Sequence, residues 1–330
     1  MEIAINEWIP VTDTSSVGEA RRRALLAAQR IGFDDSRSGQ LALLATESSR
    51  NVLVHGGGGG LVISASHDGD ATLARILAID NGPGIADIDQ AMTDGYSTAG
   101  TMGGGMGAMQ RIATTLEIFT GKHGTVLLIE LGDVTPPDRL RIAGIAVPFP
   151  AERFCGDAWA YHRTPERLLV LLVDGLGHGI DASEAAQEAV ATFHKRQELA
   201  SGEILGFLHD ALKKTRGAVA AVAEIRPQDA ALTFAGVGNI SAVVLSAGAS
   251  RSLVSHSGTL GMVTSRIQEF RVPWPSDAIL VLHSDGLHSR WDLAAYPGLL
   301  ARHPALIGGV LLRDFRRKRD DASVVVVKAA

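Results

Sequence analysis

Apolar residues recur at helical spacing from Val17 to Ile31, with arginines on the opposite face, and again from Leu41 to Val54. This period predicts two helices, the second ended by His55 and the glycines after it. Two β-like runs follow, Leu61 to Ser66 and Thr72 to Ile79, separated by the turn signal Asp68-Gly69-Asp70. The run Gly56 to Gly60 is expected in a turn or loop, because glycine inside a helix or strand costs entropy. A glycine-rich stretch extends from Asp80 to Gly107. Beyond it the pattern predicts a helix over Ala108 to Thr115 and strands over Leu116 to Thr120 and Thr125 to Leu131.

The segment Gly132-Asp133-Val134-Thr135-Pro136-Pro137-Asp138 is polar and proline-containing and reads as a linker. Two domains are therefore expected, residues 1–132 and 141–330, joined by 133–140. The second half reads as strands at Leu168 to Val173, Ala218 to Ile225, Ala230 to Ala235, Ala242 to Ser246, Ala278 to His283 and Ser323 to Lys328. Helices are expected at Ala182 to Arg196 and Ile204 to Thr215. Antiparallel sheets flanked by helices fit this order better than a βαβ alternation, so the fold class is α+β.

Composition narrows the function classes. The 330 residues are 46% apolar and 20% charged, which is globular rather than disordered. A net charge of -5 argues against a nucleic-acid partner. The single cysteine, Cys155, excludes an intramolecular disulfide and a cysteine-rich zinc module. No apolar run is long enough to span a bilayer, and the N-terminus lacks a basic segment followed by an apolar one. No membrane association and a cytoplasmic location are expected.

Three features of the first half carry chemistry. Glu47 and Asn51, in Glu47-Ser48-Ser49-Arg50-Asn51, are four apart and share a helix face. A carboxylate and a carboxamide so placed can hold Mg²⁺ or polarise a hydroxyl, although the polar edge of an amphipathic helix looks the same. Asp80-Asn81-Gly82-Pro83-Gly84-Ile85 follows an apolar strand, where a carboxylate can accept from an adenine amino group and glycines let a ligand approach; a surface turn would also use these residues. Gly100-Thr101-Met102-Gly103-Gly104-Gly105-Met106-Gly107 leads into a helix whose backbone N–H groups can cradle phosphates, or it is a flexible loop. In this order and spacing the three resemble the GHKL ATPase family, and most of all the anti-sigma switch serine kinases of bacterial stress signalling. The resemblance implies a Bergerat α/β sandwich that binds ATP and Mg²⁺. It also implies adenine recognition by Asp80 beside Gly82 and Gly84, Mg²⁺ held by Asn51, and a phosphate lid at Gly103, Gly105 and Gly107. Glu47 would be the general base toward a serine or threonine hydroxyl.

In the second half acidic residues stand after apolar runs or in turns: Gly156-Asp157, Asp174-Gly175-Leu176-Gly177-His178-Gly179, Ser284-Asp285-Gly286-Leu287 and Asp320-Asp321. Each alone is an ordinary turn. In series they can converge as hard oxygen ligands suited to Mg²⁺ or Mn²⁺. The set resembles the PPM metal-dependent serine/threonine phosphatases in their short SpoIIE-type form, a β-sandwich flanked by helices. The resemblance implies two Mn²⁺ or Mg²⁺ ions: Asp174 bridging both, Gly175 adding its carbonyl, Asp157 on one, and Asp285 with Asp320 on the other. The nucleophile would be water, with no phosphoenzyme. His178 reads as a general acid or as a structural group. The basic run Arg313, Arg316, Arg317, Lys318, Arg319 reads as a solvated face, or as an attractor of an acidic partner.

The expected function is a bifunctional partner-switching regulator that phosphorylates and dephosphorylates a STAS-domain protein. Two alternatives stay open: a phosphatase governed by a nucleotide-sensing, non-kinase first domain, and a non-enzymatic partner-binding module. A homodimer is neither required nor excluded.

Overall fold

The computed structural model describes residues 2–68, 71–92, 105–133, 140–150, 152–264 and 266–329. The chain forms two compact units: Glu2–Thr135 together with Leu293–Asp314, and Pro136–Asp292 together with Phe315–Ala330.

The first unit opens with β1 (Glu2–Val11), α1 (Thr14–Arg30) and α2 (Asp35–Val54). Asp13 caps α1 by accepting from the N–H groups of Ser15 and Ser16. Asp34 caps α2, which therefore starts six residues before the apolar period does. Next come β2 (Gly59–Asp68), β3 (Ala71–Asp80), the short α3 (Ile88–Ala91), α4 (Gly105–Ile112), β4 (Thr115–Gly121) and β5 (Gly124–Gly132). The strands make one antiparallel sheet in the order β1-β2-β3-β5-β4. One face is covered by α1 and α2 through Ala24, Ala28, Leu41, Leu44, Ile63, Ile76 and Ile129.

Gly59 and Gly60 are not loop residues, contrary to expectation; they begin β2. A Cβ on Gly60 would enter the Trp8 ring of β1, and one on Gly59 would meet the Ile79 carbonyl of β3. Close packing inside the sheet, not flexibility, explains these two glycines.

The second unit contains β6 (Arg141–Val147), β7 (Asp157–Arg163), β8 (Leu168–Gly175), α5 (Ile180–Lys195) and α6 (Ser201–Ala211). Strands β9 (Ala218–Arg226), β10 (Ala231–Val237), β11 (Ser241–Ser246), β12 (Ala249–Leu253), β13 (Phe270–Pro273) and β14 (Ile279–His283) follow. The chain then supplies α7 (Pro304–Phe315), most of which belongs to the first unit, and returns for β15 (Ala322–Lys328). Two antiparallel sheets result, β13-β10-β9-β8-β7 and β12-β11-β14-β15-β6. They meet where the Trp159 ring of β7 lies against Gly144 of β6. Helices α5 and α6 cover the outer face of the first of these sheets through Ala186, Ala189, Phe193, Ile204, Leu205 and Leu208. The architecture is a β-sandwich flanked by helices, and the fold class is α+β.

Helix α7 has no counterpart in the sequence reading. Pro304 to Leu312 are all buried, so no polar face marks a period. It lies on the face of the first sheet opposite α1 and α2, where Leu77, Ile79, Val126 and Leu128 are buried. Near its start, His303 stands 3.7 Å from Glu130 and donates its N–H to Glu117. Near its end, Arg313 reaches the carbonyl of Gly124. A Cβ on Gly309 would stand 2.6 Å from a Val126 methyl and 3.3 Å from Leu77. Gly309→Val is therefore expected to destabilise the first unit by about 1–3 kcal/mol through overpacking. Chemical denaturation followed by the fluorescence of Trp8, with Trp159, Trp274 and Trp291 replaced by Phe, measures this; an unchanged midpoint would contradict the close contact.

Candidate nucleotide pocket and carboxylate cluster

In the first unit a cavity of about 640 Å³ lies between α2, α4 and the sheet. Glu47, Asn51, Asp80, Gly84, Gly105 and Met106 all line it, so the three motifs of the first half converge. Asp80 ends β3. Its Oδ1 accepts from the N–H groups of Gly82 (2.8 Å) and Thr125 (3.1 Å), and neither bond engages Oδ2. Burial raises its pKa above the usual carboxylate value; the two N–H donors, Arg313 and His55 oppose the rise without cancelling it. Glycines make room around it. A Cβ on Gly56 would overlap the Asp80 side chain, and one on Gly82 would stand 2.8 Å from the His55 carbonyl. Gly84, at φ +80°, is pressed against the Gly121 carbonyl.

Glu47 lies one turn from Arg50 on α2, at 3.7 Å. A Cβ on Gly105 would come within 3.1 Å of its Oε2, so the start of α4 sits directly over this carboxylate. Gly105 and Gly107 are in α4, which begins three residues earlier than the apolar pattern indicated. Gly103 lies outside the described residues.

In the second unit Asp157 starts β7 and pairs in register with Asp174 on β8. Asp157 is 4% exposed and accepts from the Ser284 hydroxyl at 2.6 Å; that hydroxyl oxygen in turn accepts from the Ser323 N–H. Asp321 spends both oxygens on the backbone, taking the N–H groups of Phe149 (2.7 Å) and Gly156 (2.9 Å). It braces the loops, and Asp320 beside it accepts the Asp321 N–H on Oδ1 at 2.9 Å. Asp285 accepts from the Asn239 amide at 2.8 Å. Asn239 was missed by sequence reasoning, because a lone Asn after Gly238 looks like any turn. Gly175 and Gly286 abut the backbone of Ala182 and Asp321, where no Cβ fits.

Burial pushes the Asp157 carboxyl up to about 7 and that of Asp174 up to about 9, and the neighbouring aspartates add to both shifts. Burial, with Asp285 and Asp321, also raises Asp320, while burial alone raises Asp321. Such a set holds protons unless a cation takes their place. Among the described residues no three carboxylate, imidazole or thiol groups close round one ion. An open, all-oxygen arrangement fits Mg²⁺, which keeps several of its waters.

The other residues take ordinary places. His178 is exposed and pairs with Glu152 at 3.0 Å, against the Phe149 ring. The Cys155 thiol is pushed well up by burial and by Asp157 and Asp321, the opposite of a nucleophile. The basic run is not one solvated face. Arg313 is 2% exposed and ion-paired with Asp314, and Arg316 bonds the Pro148 carbonyl.

The family profile of Stage II sporulation protein E (SpoIIE) matches residues 164–330, more than half of the chain. That of the histidine kinase-like ATPase domain matches residues 10–131. The serine/threonine-protein kinase RsbT of Bacillus subtilis is 32% identical over 93 residues, 28% of this chain and 70% of that protein. The phosphoserine phosphatase RsbX of the same organism is 26% identical over 137 residues, 41% and 68% of the two. A solved structure from work on the bacterial stressosome superposes with TM-score 0.53 at 27% identity, covering 58% of this chain and 100% of its own. RsbX in complex with magnesium superposes with TM-score 0.52 at 19% identity over 60% and 99%, which shows a shared fold. No helix among the described residues is long and apolar enough to cross a membrane. The chain belongs to the SpoIIE family, its PPM-type phosphatase module joined to a GHKL-like ATPase domain in the architecture of a partner-switching regulator.

Proposed function

We propose that this chain sets the phosphorylation state of a STAS-domain protein, removing phosphate from serine or threonine with one unit and adding it from ATP with the other. The observation that carries the hydrolytic half is the convergence of buried carboxylates, Asp157 and Asp174, which no cationic side chain among the described residues offsets.

Asp157, Asp174, Asp285 and Asp320, with the Gly175 carbonyl, would hold two Mg²⁺ or Mn²⁺ ions. Bound there, such ions activate water and offset the charge of a phosphoryl group. The remaining residues orient these ligands. Ser284 fixes Asp157, Asn239 fixes Asp285, and Asp321 ties the loops at Phe149 and Gly156. In the ATP-binding half, Asp80 would read adenine, Asn51 would hold Mg²⁺, and the N–H groups at the start of α4 would meet the phosphates. Glu47, beneath Gly105, would take the proton of the acceptor hydroxyl. The likeness to RsbT supports the transfer reaction, and the Rsb relatives support a STAS-domain substrate.

Three outcomes are expected. Asp174→Asn should lower Mn²⁺-dependent hydrolysis of a phosphorylated STAS protein at least ~100-fold, from loss of metal catalysis, with ATP affinity unchanged; normal turnover would sink the metal assignment. Asn239→Ala should lower activity or metal affinity by about 10–100-fold, read from a Mn²⁺ titration. Glu47→Gln should abolish transfer from ATP while sparing ATP binding. Absence of transfer already in the wild type would favour a nucleotide-sensing first unit.

The raised carboxyls also set a pH dependence. Their pKa values are higher folded than unfolded, so the metal-free protein loses stability as pH rises from the ordinary carboxylate range toward about 9. Its melting midpoint in chelator should fall between pH 6 and pH 9, roughly 2–4 °C per kcal/mol. Mn²⁺ should stabilise more at the higher pH, and Asp174→Asn should flatten both trends.

A further inference from the structure

Asp80 is held by a peptide plane that has a second attachment on its other edge. The Thr125 N–H, which donates to Asp80 Oδ1, shares one planar unit with the Gly124 carbonyl. That carbonyl accepts from Arg313 Nη1 at 3.0 Å. The plane is pinned in a trans arrangement, carbonyl toward Arg313 and N–H toward Asp80. It cannot tilt without breaking one bond or the other. Gly124, at φ +114°, also leaves no space for a Cβ beside the Asp80 carbonyl.

Arg313 is itself immobilised. Its Nε and Nη2 donate to the two carboxylate oxygens of Asp314, each at 2.8 Å. Asp314 also accepts from the Tyr296 hydroxyl at 2.8 Å, and the Tyr296 ring lies 6.4 Å from that of Phe119 on β4. A cationic donor on the carbonyl polarises the peptide and strengthens the N–H it offers on the far side. The guanidinium charge also favours the ionised form of Asp80, which burial disfavours. Asp80 is faced by His55 from the end of α2, by the Gly82 and Thr125 N–H groups, and by Arg313.

We propose that Arg313, carried by α7, is a positioning residue for Asp80 and thereby sets the preference of the nucleotide pocket for adenine. This rests on the reading of Asp80 as the base-contacting carboxylate. Residues 293–314 lie outside the segment matched by the ATPase profile, 10–131, so the pocket of this chain depends on residues that an isolated ATPase domain lacks.

The test uses the full-length protein and two nucleotides, ATP and inosine triphosphate, which has an oxo group where ATP has the 6-amino group. Dissociation constants are measured calorimetrically with Mg²⁺ for wild type, Asp80→Asn, Arg313→Lys, and Arg313→Met combined with Asp314→Asn. The double substitution removes the Asp314 carboxylate together with its cation, and its melting curve shows whether it folds. Wild type is expected to prefer ATP by about tenfold or more, the scale of one hydrogen bond to a charged group. Asp80→Asn and the double variant should both collapse that ratio, the second mainly by weakening ATP, while Arg313→Lys keeps most of it. If the double variant weakens both nucleotides equally, or neither, while Asp80→Asn still collapses the ratio, Arg313 is merely structural and the inference is overturned. If Asp80→Asn leaves the ratio intact, the base-reading assignment falls and the inference falls with it. Should the double variant not fold, Arg313→Gln combined with Asp314→Asn decides: a ratio fallen toward that of Asp80→Asn supports the inference, and a wild-type ratio overturns it.

Discussion

Asp80 ends β3 and Asp174 lies one residue before the end of β8, and each carboxylate is withdrawn from water, the first with its charge partly met and the second without. A buried carboxylate either finds donors, finds a cation or keeps its proton. The two units answer this constraint differently. Around Asp80 the chain provides two N–H groups on one oxygen, Oδ1, and a nearby arginine. Around Asp174 it gathers further aspartates, which deepens the cost of ionising it.

Both solutions require backbone where side chains would ordinarily be. Gly56, Gly82 and Gly124 crowd Asp80, while Gly156, Gly175 and Gly286 crowd the carboxylate cluster. Several of these approaches leave no room for a Cβ. The glycines therefore serve close approach rather than mobility. The supporting polar groups follow the same logic. Ser284, Asn239 and the Asp321 carboxylate each use their hydrogen bonds on a neighbour's orientation rather than on solvent.

The chain joins a phosphatase module and an ATPase-like domain in a fixed one-to-one ratio. Here the chain also shares material between its units. The stretch Leu293–Asp314 folds with the first unit, yet in sequence it lies between the Asp285 and Asp320 motifs of the second. Leu77, Val126 and Leu128 would face water without it, and burying that surface is the favourable term that recruits the helix.

Local chemistry was legible in the sequence. The acidic and glycine motifs are short, each is placed by its own strand end or turn, and their grouping followed from resemblance: Glu47, Asn51 and Asp80 do line one cavity, and Asp157 does pair with Asp174. Helices α1, α2, α5 and α6 and the central strands were legible too, because each has one buried face and the period shows it. Strands β1, β6, β7, β12 and β13 escaped, as did α7. A helix buried from Pro304 to Leu312 has no polar face to give it a period, and nothing local says which sheet it will cover. Asn239 and Arg313 escaped for a related reason. Their roles exist only where the tertiary fold brings them to Asp285, 46 residues away, and to Gly124, 189 residues away. Sequence determined which groups could do chemistry; only the packed structure decided which neighbours hold them in place, because a hydrogen bond across such a separation is specified by the whole intervening fold.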